Sequence, residues 1–259
     1  MFGGPVVQIS DNTDDLARQL DTTGFVCLEN VVTQNWLTQA RDDVRGRLAK
    51  FGETDFCIIN SGHEPNSPAS EFVADRTVNA LMHELAHSRC PWGVSPGEEI
   101  YTVLRVLAGP ERAASSNAFH YDAAVVTMLV PLFIPDAGQG ESGELVVLPN
   151  RRPFRRSSVV NLAEKVLTQN SFYRDRITKQ VNAAPDKYFV TMKPGNVYLF
   201  WGYRTFHGNL HCAPDTVRAT LLLHLGNPHA NSALLGTVRK FRRLIAPSSE
   251  HTEATVVRL

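Results

Sequence analysis

Up to about residue 95 the apolar residues recur at helical spacing; after Pro96 they gather into short runs of strand length. Residues 11–20 combine cap residues with apolar positions on one helical face, and Gly24 is placed to stop that helix. GFVCLEN (24–30) reads as a strand. In TQNWLTQARDDVRGRLAKF (33–51), Trp36, Leu37, Ala40, Val44 and Leu48 share one helical face, ended by Gly52. Residues 52–69 hold Gly, Pro, Asn and Ser and read as a loop. Ser70 is placed to cap a further helix to about His87, before Pro91. Beyond Pro96 the runs EIYTVLRVLA, AAVVTMLVPLFI, GELVVLP, KYFVTMKP, NVYLFWG and VRATLLLHLG alternate with turn residues such as Gly109-Pro110 and Pro194-Gly195-Asn196. Short strands with such punctuation predict a sandwich or barrel. Residues 150–186, with the helix-like NLAEKVLTQN, are long for a connection and predict a cover over one mouth of the barrel. A last helix is expected over 232–244, then a polar tail. No repeat or low-complexity linker divides the chain. The expectation is one domain, 1–259, with a mostly helical part to 95, a β core over 96–228 and a helix and tail over 229–259.

Composition narrows the function more than the fold. Hydrophobic residues make up 43% of the 259 and charged residues 20%, an ordinary globular balance. Lys plus Arg and Asp plus Glu are 26 each, so the net charge is zero; no nucleic-acid or anionic-membrane partner is expected. MFGGPVVQIS lacks the basic start and apolar core of a signal peptide, and no apolar run approaches the roughly 18 residues of a membrane span. Cys27, Cys57, Cys90 and Cys212 are scattered, with no CxxC pair, as free thiols in a reducing cytoplasm would be.

The sharpest chemical signal is FHYDA, 119–123. Positions i and i+2 of a strand face one way, so His120 and Asp122 can offer an imidazole and a carboxylate to one ion. A third ligand comes from PGNVYLFWGYRTFHGNLH, where His207 and His211 are both available and can share a face. Two histidines and a carboxylate on one side of an ion leave positions open, as in non-haem Fe(II) oxygenases. Arg218 follows in VRATLLLHLG, 11 residues beyond His207, and a guanidinium there suits a bidentate pair with a dicarboxylate. Thr220 faces the same way as Arg218, and Asn209 is a further polar candidate. The bland alternative for His120 and Asp122 is a hydrogen-bonded pair in a β core. A buried unpaired aspartate is costly, so a cation or specific partner is expected.

These features together resemble the phytanoyl-CoA dioxygenase-like branch of the Fe(II)/2-oxoglutarate oxygenases. The likeness spans most of the chain: DTTGFVCLENVVTQNWLTQARDDV, HYD, GELVVLPN, PGNVYLFWGYRTFHG and Arg218, with 87 residues between His120 and His207. It implies a mainly β fold with flanking helices, a double-stranded β-helix of jelly-roll or cupin-like type. It implies His120, Asp122 and His207 as iron ligands, preferring His207 over His211 by the interval to Arg218. It implies Arg218 as the grip on 2-oxoglutarate, Fe(II), 2-oxoglutarate and O2 as cofactors, and hydroxylation of a small organic substrate with release of succinate and CO2. Such relatives also place a co-substrate contact on the strand before the metal motif, where Thr102 is the candidate and Arg105 its rival. A carboxylate at 122 argues against a halogenase. Family members often read Pro-Gly-Ser-His where this chain has Pro149-Asn150-Arg151-Arg152, which bears on the substrate.

Two other readings compete. HELAH (83–87) fits H-E-x-x-H, in which His83 and His87 would bind zinc and Glu84 would act as base. The extended form of that motif fails, since Cys90 and Gly93 stand where a glycine and a third histidine belong; Glu111 is a distant substitute. The third reading is a non-catalytic β-barrel that binds a ligand. RRPFRR (151–156) is either a solvated loop or a clamp for an anionic substrate, and VRKFRR (238–243) is read as the polar face of the last helix. His224 is read as a packed core histidine and HTE (251–253) as a chance match.

Overall fold

The computed structural model describes residues 6–10, 12–110, 119–155, 171–229 and 254–258. Helix α1 (Thr13–Thr23) is capped by the Asn12 side chain, which accepts from Asp14 N, and it carries Asp14 and Asp15 at its positive end. Gly24 ends it in the left-handed region at φ 74°, and a Cβ there would stand 2.1 Å from Pro149 Cβ. Strand β1 (Phe25–Leu28) follows, then α2 (Gln34–Phe51), which buries Trp36, Leu37, Ala40 and Val44 as the spacing predicts.

The segment read as a loop contains β2 (Phe56–Ile59), four residues too short to stand out among their turn-forming neighbours. The single helix expected from Ser70 is two. Ser67, not Ser70, caps α3 (Pro68–Ala74). Asp75 then leaves helical geometry and caps α4 (Arg76–Arg89) through the backbone N–H groups of Thr77 and Val78.

The β core comprises β3 (Tyr101–Leu107), β4 (Val126–Phe133), β5 (Leu145–Leu148), β6 (Phe189–Val190), β7 (Val197–Phe200), β8 (Phe206–Asn209) and β9 (Arg218–Leu225). KYFVTMKP yields two strand residues, because Pro185–Tyr188 winds into a short helix ahead of β6. Within 150–186, Ser171–Asn182 forms a further helix, α5. The tail, expected only to be polar, supplies β10 (Thr255–Arg258), which pairs with β2. NLAEKVLTQN, the helix expected over 232–244, HTE, Glu111 and Arg156 lie outside the described residues.

All pairings are antiparallel. One sheet runs β1-β7-β4-β9-β3-β2-β10 and the other β6-β5-β8. Together with the flanking helices they make the mainly β double-stranded β-helix that the sequence predicts. Three apolar layers hold it. Val126, Met128 and Val130 of β4 and Leu221 and Leu223 of β9 pack outward with Trp36, Met82 and Leu85 of the helices. Leu129, Leu145, Val147, Tyr198 and Phe200 fill the space between the sheets. Val146, Leu148 and Phe206 meet Ile177 and Val181 of α5 on the far side of the small sheet. The large sheet is therefore covered on both faces, and alternate residues on β4 and β9 serve different layers.

Asn150, in the tetrapeptide that departs from the resemblance, donates its amide to the carbonyls of Leu20 and Asp21 at the end of α1, 3.0 and 2.9 Å away. The Leu20 carbonyl already accepts from the Gly24 N–H of the cap. Asn150 adds a second donor to it and one to Asp21 O at the end of the helix, where carbonyls run out of intrahelical partners. Asn150→Ala is expected to lower stability by roughly 1–3 kcal/mol, read from the urea midpoint of unfolding. An unchanged midpoint would remove this capping role.

Candidate metal centre

His120 and His207 face each other as an antiparallel bridge, with His120 N–H to His207 O at 2.8 Å and His207 N–H to His120 O at 3.0 Å. Their rings lie 4.6 Å apart between centroids. Two residues on, Asp122 N–H donates to Gly202 O at 3.1 Å, which turns the carboxylate toward both imidazoles. Asp122 Oδ1 stands 3.4 Å from His120 Nε2 and 3.5 Å from His207 Nε2. Among the described residues, one group of His, Cys, Asp and Glu brings three or more donor atoms within 4.8 Å of one another: His120, Asp122 and His207.

The surroundings prepare these donors. His207 Nδ1 lies 3.0 Å from Thr205 O, and a carbonyl only accepts, so Nδ1 carries the proton and Nε2 presents its lone pair to the cluster. The turn between β7 and β8 that carries Gly202 and Thr205 is tied down by Asp21, which accepts from Trp201 Nε1 at 3.0 Å and Arg204 Nη1 at 2.8 Å. Burial pushes the His207 imidazole down to about 4, against the pull of Asp122. Burial pushes the Asp122 carboxyl up, but His207, His224 and His120 outweigh it and hold it well below the ordinary carboxylate range. The result is a neutral imidazole and an ionised carboxylate facing one point, the protonation state a divalent cation requires.

A cavity of about 140 Å³ opens from the cluster and is also lined by Arg105, Asn209, Arg218 and Thr220. Arg218 is 2% exposed, and its Nε donates to Gly143 O at 3.0 Å. Gly143 has no room for a side chain: a Cβ would stand 2.6 Å from Arg218 Cδ, and its φ is 65°. Burial, and then the charge of Arg105, lower the Arg218 guanidinium to about 10. Arg105 pairs across the strands with Thr220, and its Nη1 donates to Asn209 Oδ1 at 2.9 Å. Asn209 thus orients a guanidinium as well as lining the cavity.

Other candidates fall elsewhere. Thr102 points to the opposite face of β3, where its hydroxyl accepts from Gly62 N at 2.7 Å, so Arg105 and not Thr102 reaches the cavity from this strand. His211 lies beside Glu141, 3.0 Å away, outside the cluster. Arg152 is 5% exposed, with its guanidinium 4.0 Å from the Tyr121 ring centre and 3.7 Å from that of Tyr203. It packs the segment beside the cluster and is no solvent-facing clamp. HELAH lies on α4, where Glu84 accepts from Thr13 Oγ1 at 2.7 Å and both His87 and Glu84 are exposed. Its residues line a groove of about 850 Å³, larger than the metal-side cavity, but none belongs to the donor cluster.

His224, expected as a packed core histidine, sits in this site. Its Nδ1 is 3.0 Å from Thr127 Oγ1, which in turn is 2.5 Å from Asp122 Oδ2. The signal was present: positions 218, 220 and 224 share one face of a strand.

No family model matches the chain, and no curated protein matches it. Solved structures do. EctD from S. alaskensis is 18% identical over 86% of this chain and 81% of its own, with a TM-score of 0.53. The non-heme alpha ketoglutarate dependent carbocyclase SnoK from nogalamycin biosynthesis is 15% identical over 91% and 94%, with a TM-score of 0.51. A Pseudomonas putida prolyl-4-hydroxylase is 11% identical over 87% and 98%, also with a TM-score of 0.51. The chain shares their fold.

The pH behaviour of this double-stranded β-helix follows from His207, with His224, which burial also lowers, acting in the same direction. Its folded value of about 4 lies below the ordinary 6.5, so between these the unfolded chain binds the extra proton first. Stability is full above about 6.5 and declines as pH falls through about 4; the Asp122 shift adds its own loss below 3.8. The urea midpoint of chelator-treated protein is expected to follow that course, and His207→Gln to flatten it between pH 6.5 and 4. An equally steep decline in the variant would assign the effect to other groups.

Proposed function

We propose that this chain is an Fe(II)- and 2-oxoglutarate-dependent dioxygenase of the phytanoyl-CoA dioxygenase-like kind, acting in the cytoplasm on a C–H bond of a small organic metabolite. The observation that carries the reading is one cavity with His120, Asp122 and His207 converging on it and two guanidinium groups, Arg105 and Arg218, in its wall. Two imidazoles and one carboxylate suit Fe(II) and leave positions open for a chelating acid and O2. The same ligands suit other divalent ions, but the two cations beside them match a dicarboxylate co-substrate.

Each residue then has a task. Arg218, held at Nε by Gly143 O, offers its remaining N–H groups to the far carboxylate of 2-oxoglutarate. Arg105, oriented by Asn209, adds a second positive charge, and Thr220 adds a hydroxyl on the same wall. Phe200, Leu129, Leu145 and Leu222 line the rest and keep the keto acid out of bulk water. Iron with 2-oxoglutarate supplies the oxidising chemistry when bound, O2 being consumed and succinate and carbon dioxide released. His120, whose side chain is 54% exposed, marks the side from which a substrate approaches. None of the four cysteines is in a disulfide, which supports a reducing compartment.

An anaerobic titration of chelator-treated protein with Fe(II) and 2-oxoglutarate is expected to give the visible charge-transfer band of a chelated keto acid. His120→Ala and Asp122→Ala should lose it. Tight zinc retention with no band would overturn the assignment. Arg218→Ala is expected to raise the 2-oxoglutarate requirement about ten- to a hundred-fold, as loss of a charged hydrogen-bond partner worth about 1.5–3 kcal/mol predicts; an unchanged requirement would remove Arg218 from this role. Glu84→Gln should leave oxidation intact, and loss of activity there would bring HELAH back.

A further inference from the structure

We infer that Thr127, His224 and Gly202 form a brace that keeps Asp122 Oδ2 off the metal, so that Oδ1 alone is offered as ligand; this rests on the metal-centre reading above.

Thr127 lies on β4 among outward-packed neighbours. Val126 and Met128 join the helix-facing core, whereas Thr127 turns toward the cluster and is fully buried. Its hydroxyl has one proton to give. The Asp122 carboxylate can only accept, so the 2.5 Å contact assigns that proton to Oδ2. His224 Nδ1, 3.0 Å from the same hydroxyl oxygen, must then donate to it. The chain His224 Nδ1–H to Thr127 Oγ1–H to Asp122 Oδ2 therefore runs in one direction, ending on an ionised oxygen, where hydrogen bonds are strongest.

Gly202 closes the third side. A Cβ at this position would stand 2.3 Å from Thr127 Oγ1 and 2.9 Å from Asp122 Oδ2, nearer than real Cβ contacts come. Its carbonyl also accepts from Asp122 N–H at 3.1 Å. The carboxylate is gripped at its backbone, at one oxygen and along its flank. The other oxygen is left 3.4 and 3.5 Å from the two imidazole nitrogens. Neighbours that fix a ligating group in this way commonly carry a ten- to hundred-fold share of metal affinity.

The test uses Co(II) as a visible probe, added to chelator-treated full-length protein, reading both the dissociation constant by chelator competition and the absorption spectrum of the bound ion. Thr127→Val, which keeps the shape and removes the hydroxyl, is expected to weaken Co(II) binding by about ten- to a hundred-fold and to alter the spectrum. Thr127→Ser should restore both. A purely structural role would lower the melting temperature of the metal-free protein and leave the spectrum of the bound ion as in wild type. Wild-type affinity and spectrum in Thr127→Val would overturn the brace, provided His120→Ala has lost binding. If Thr127→Val does not fold, His224→Leu carries the same test: a changed spectrum supports the brace, and an unchanged spectrum with unchanged affinity overturns it. Failure of wild-type protein to bind Co(II) at all would overturn the metal centre, and the brace with it.

Discussion

Asp122 places a full negative charge at the seam where the two sheets meet, and much of the surrounding structure is arranged around the cost of keeping it there. A carboxylate removed from water needs compensation from opposite charge and from hydrogen bonds. Here the backbone of Gly202 turns it inward, the Thr127 hydroxyl satisfies one oxygen, and the two imidazoles face the other. His207, held neutral by burial, answers that charge only in part. Because burial moves His207 away from protonation, the two groups favour a shared cation over a shared proton.

The large sheet delivers this arrangement through the two-residue repeat of its strands. On β9, Arg218, Thr220, Leu222 and His224 share one face, while Ala219, Leu221, Leu223 and Leu225 belong to the core. Arg218 and His224 are six residues apart, roughly 20 Å of strand. One strand therefore carries a cation toward the closed part of the cavity and supports the ligand carboxylate at its other end. β4 makes the same division with Thr127 and Leu129 inward and Val126, Met128 and Val130 outward. A slip of one residue in either register would exchange the two sets, so the apolar layers that stabilise the sheet also fix the site.

This division explains what could be read from the sequence. His120 and Asp122 were legible because i and i+2 on an extended segment share a face whatever the register. His207 and Arg218 were legible through their residue types and interval. Thr102 against Arg105 was not, since β3 is covered on both sides and apolar residues occur at both parities: Leu104 and Val106 outward, Val103 inward. The run carries no alternation to say which polar residue faces the barrel. Thr127 and His224 were hidden for a related reason, as single polar residues within long apolar runs read as packing. Strands β2 and β10 escaped because β2 is set among turn-forming residues and β10 lies at the sheet edge, where little burial marks it. The need of Gly202 for empty space shows only once Thr127 and Asp122 are placed against it.

The departure at Pro149-Asn150-Arg151-Arg152 also has a physical account. Asn150 completes the end of α1, and Arg152 is sandwiched between Tyr121 and Tyr203, the first of which lies between His120 and Asp122. A buried guanidinium stacked on two rings and bonded to Tyr203 O stiffens the backbone on either side of the cluster. Within the stretch that suggested an anionic-substrate clamp, Arg152 therefore supports the site from outside. The positive charge facing the cavity comes from Arg105 and Arg218, whereas His120 is half-exposed on the approach to the metal position. The cavity is thus polarised along its length, with guanidinium groups at one end and a partly open imidazole at the other. Under the proposed function a dicarboxylate would be held by charge from within, and the outer end left for a substrate that those cations do not have to recognise.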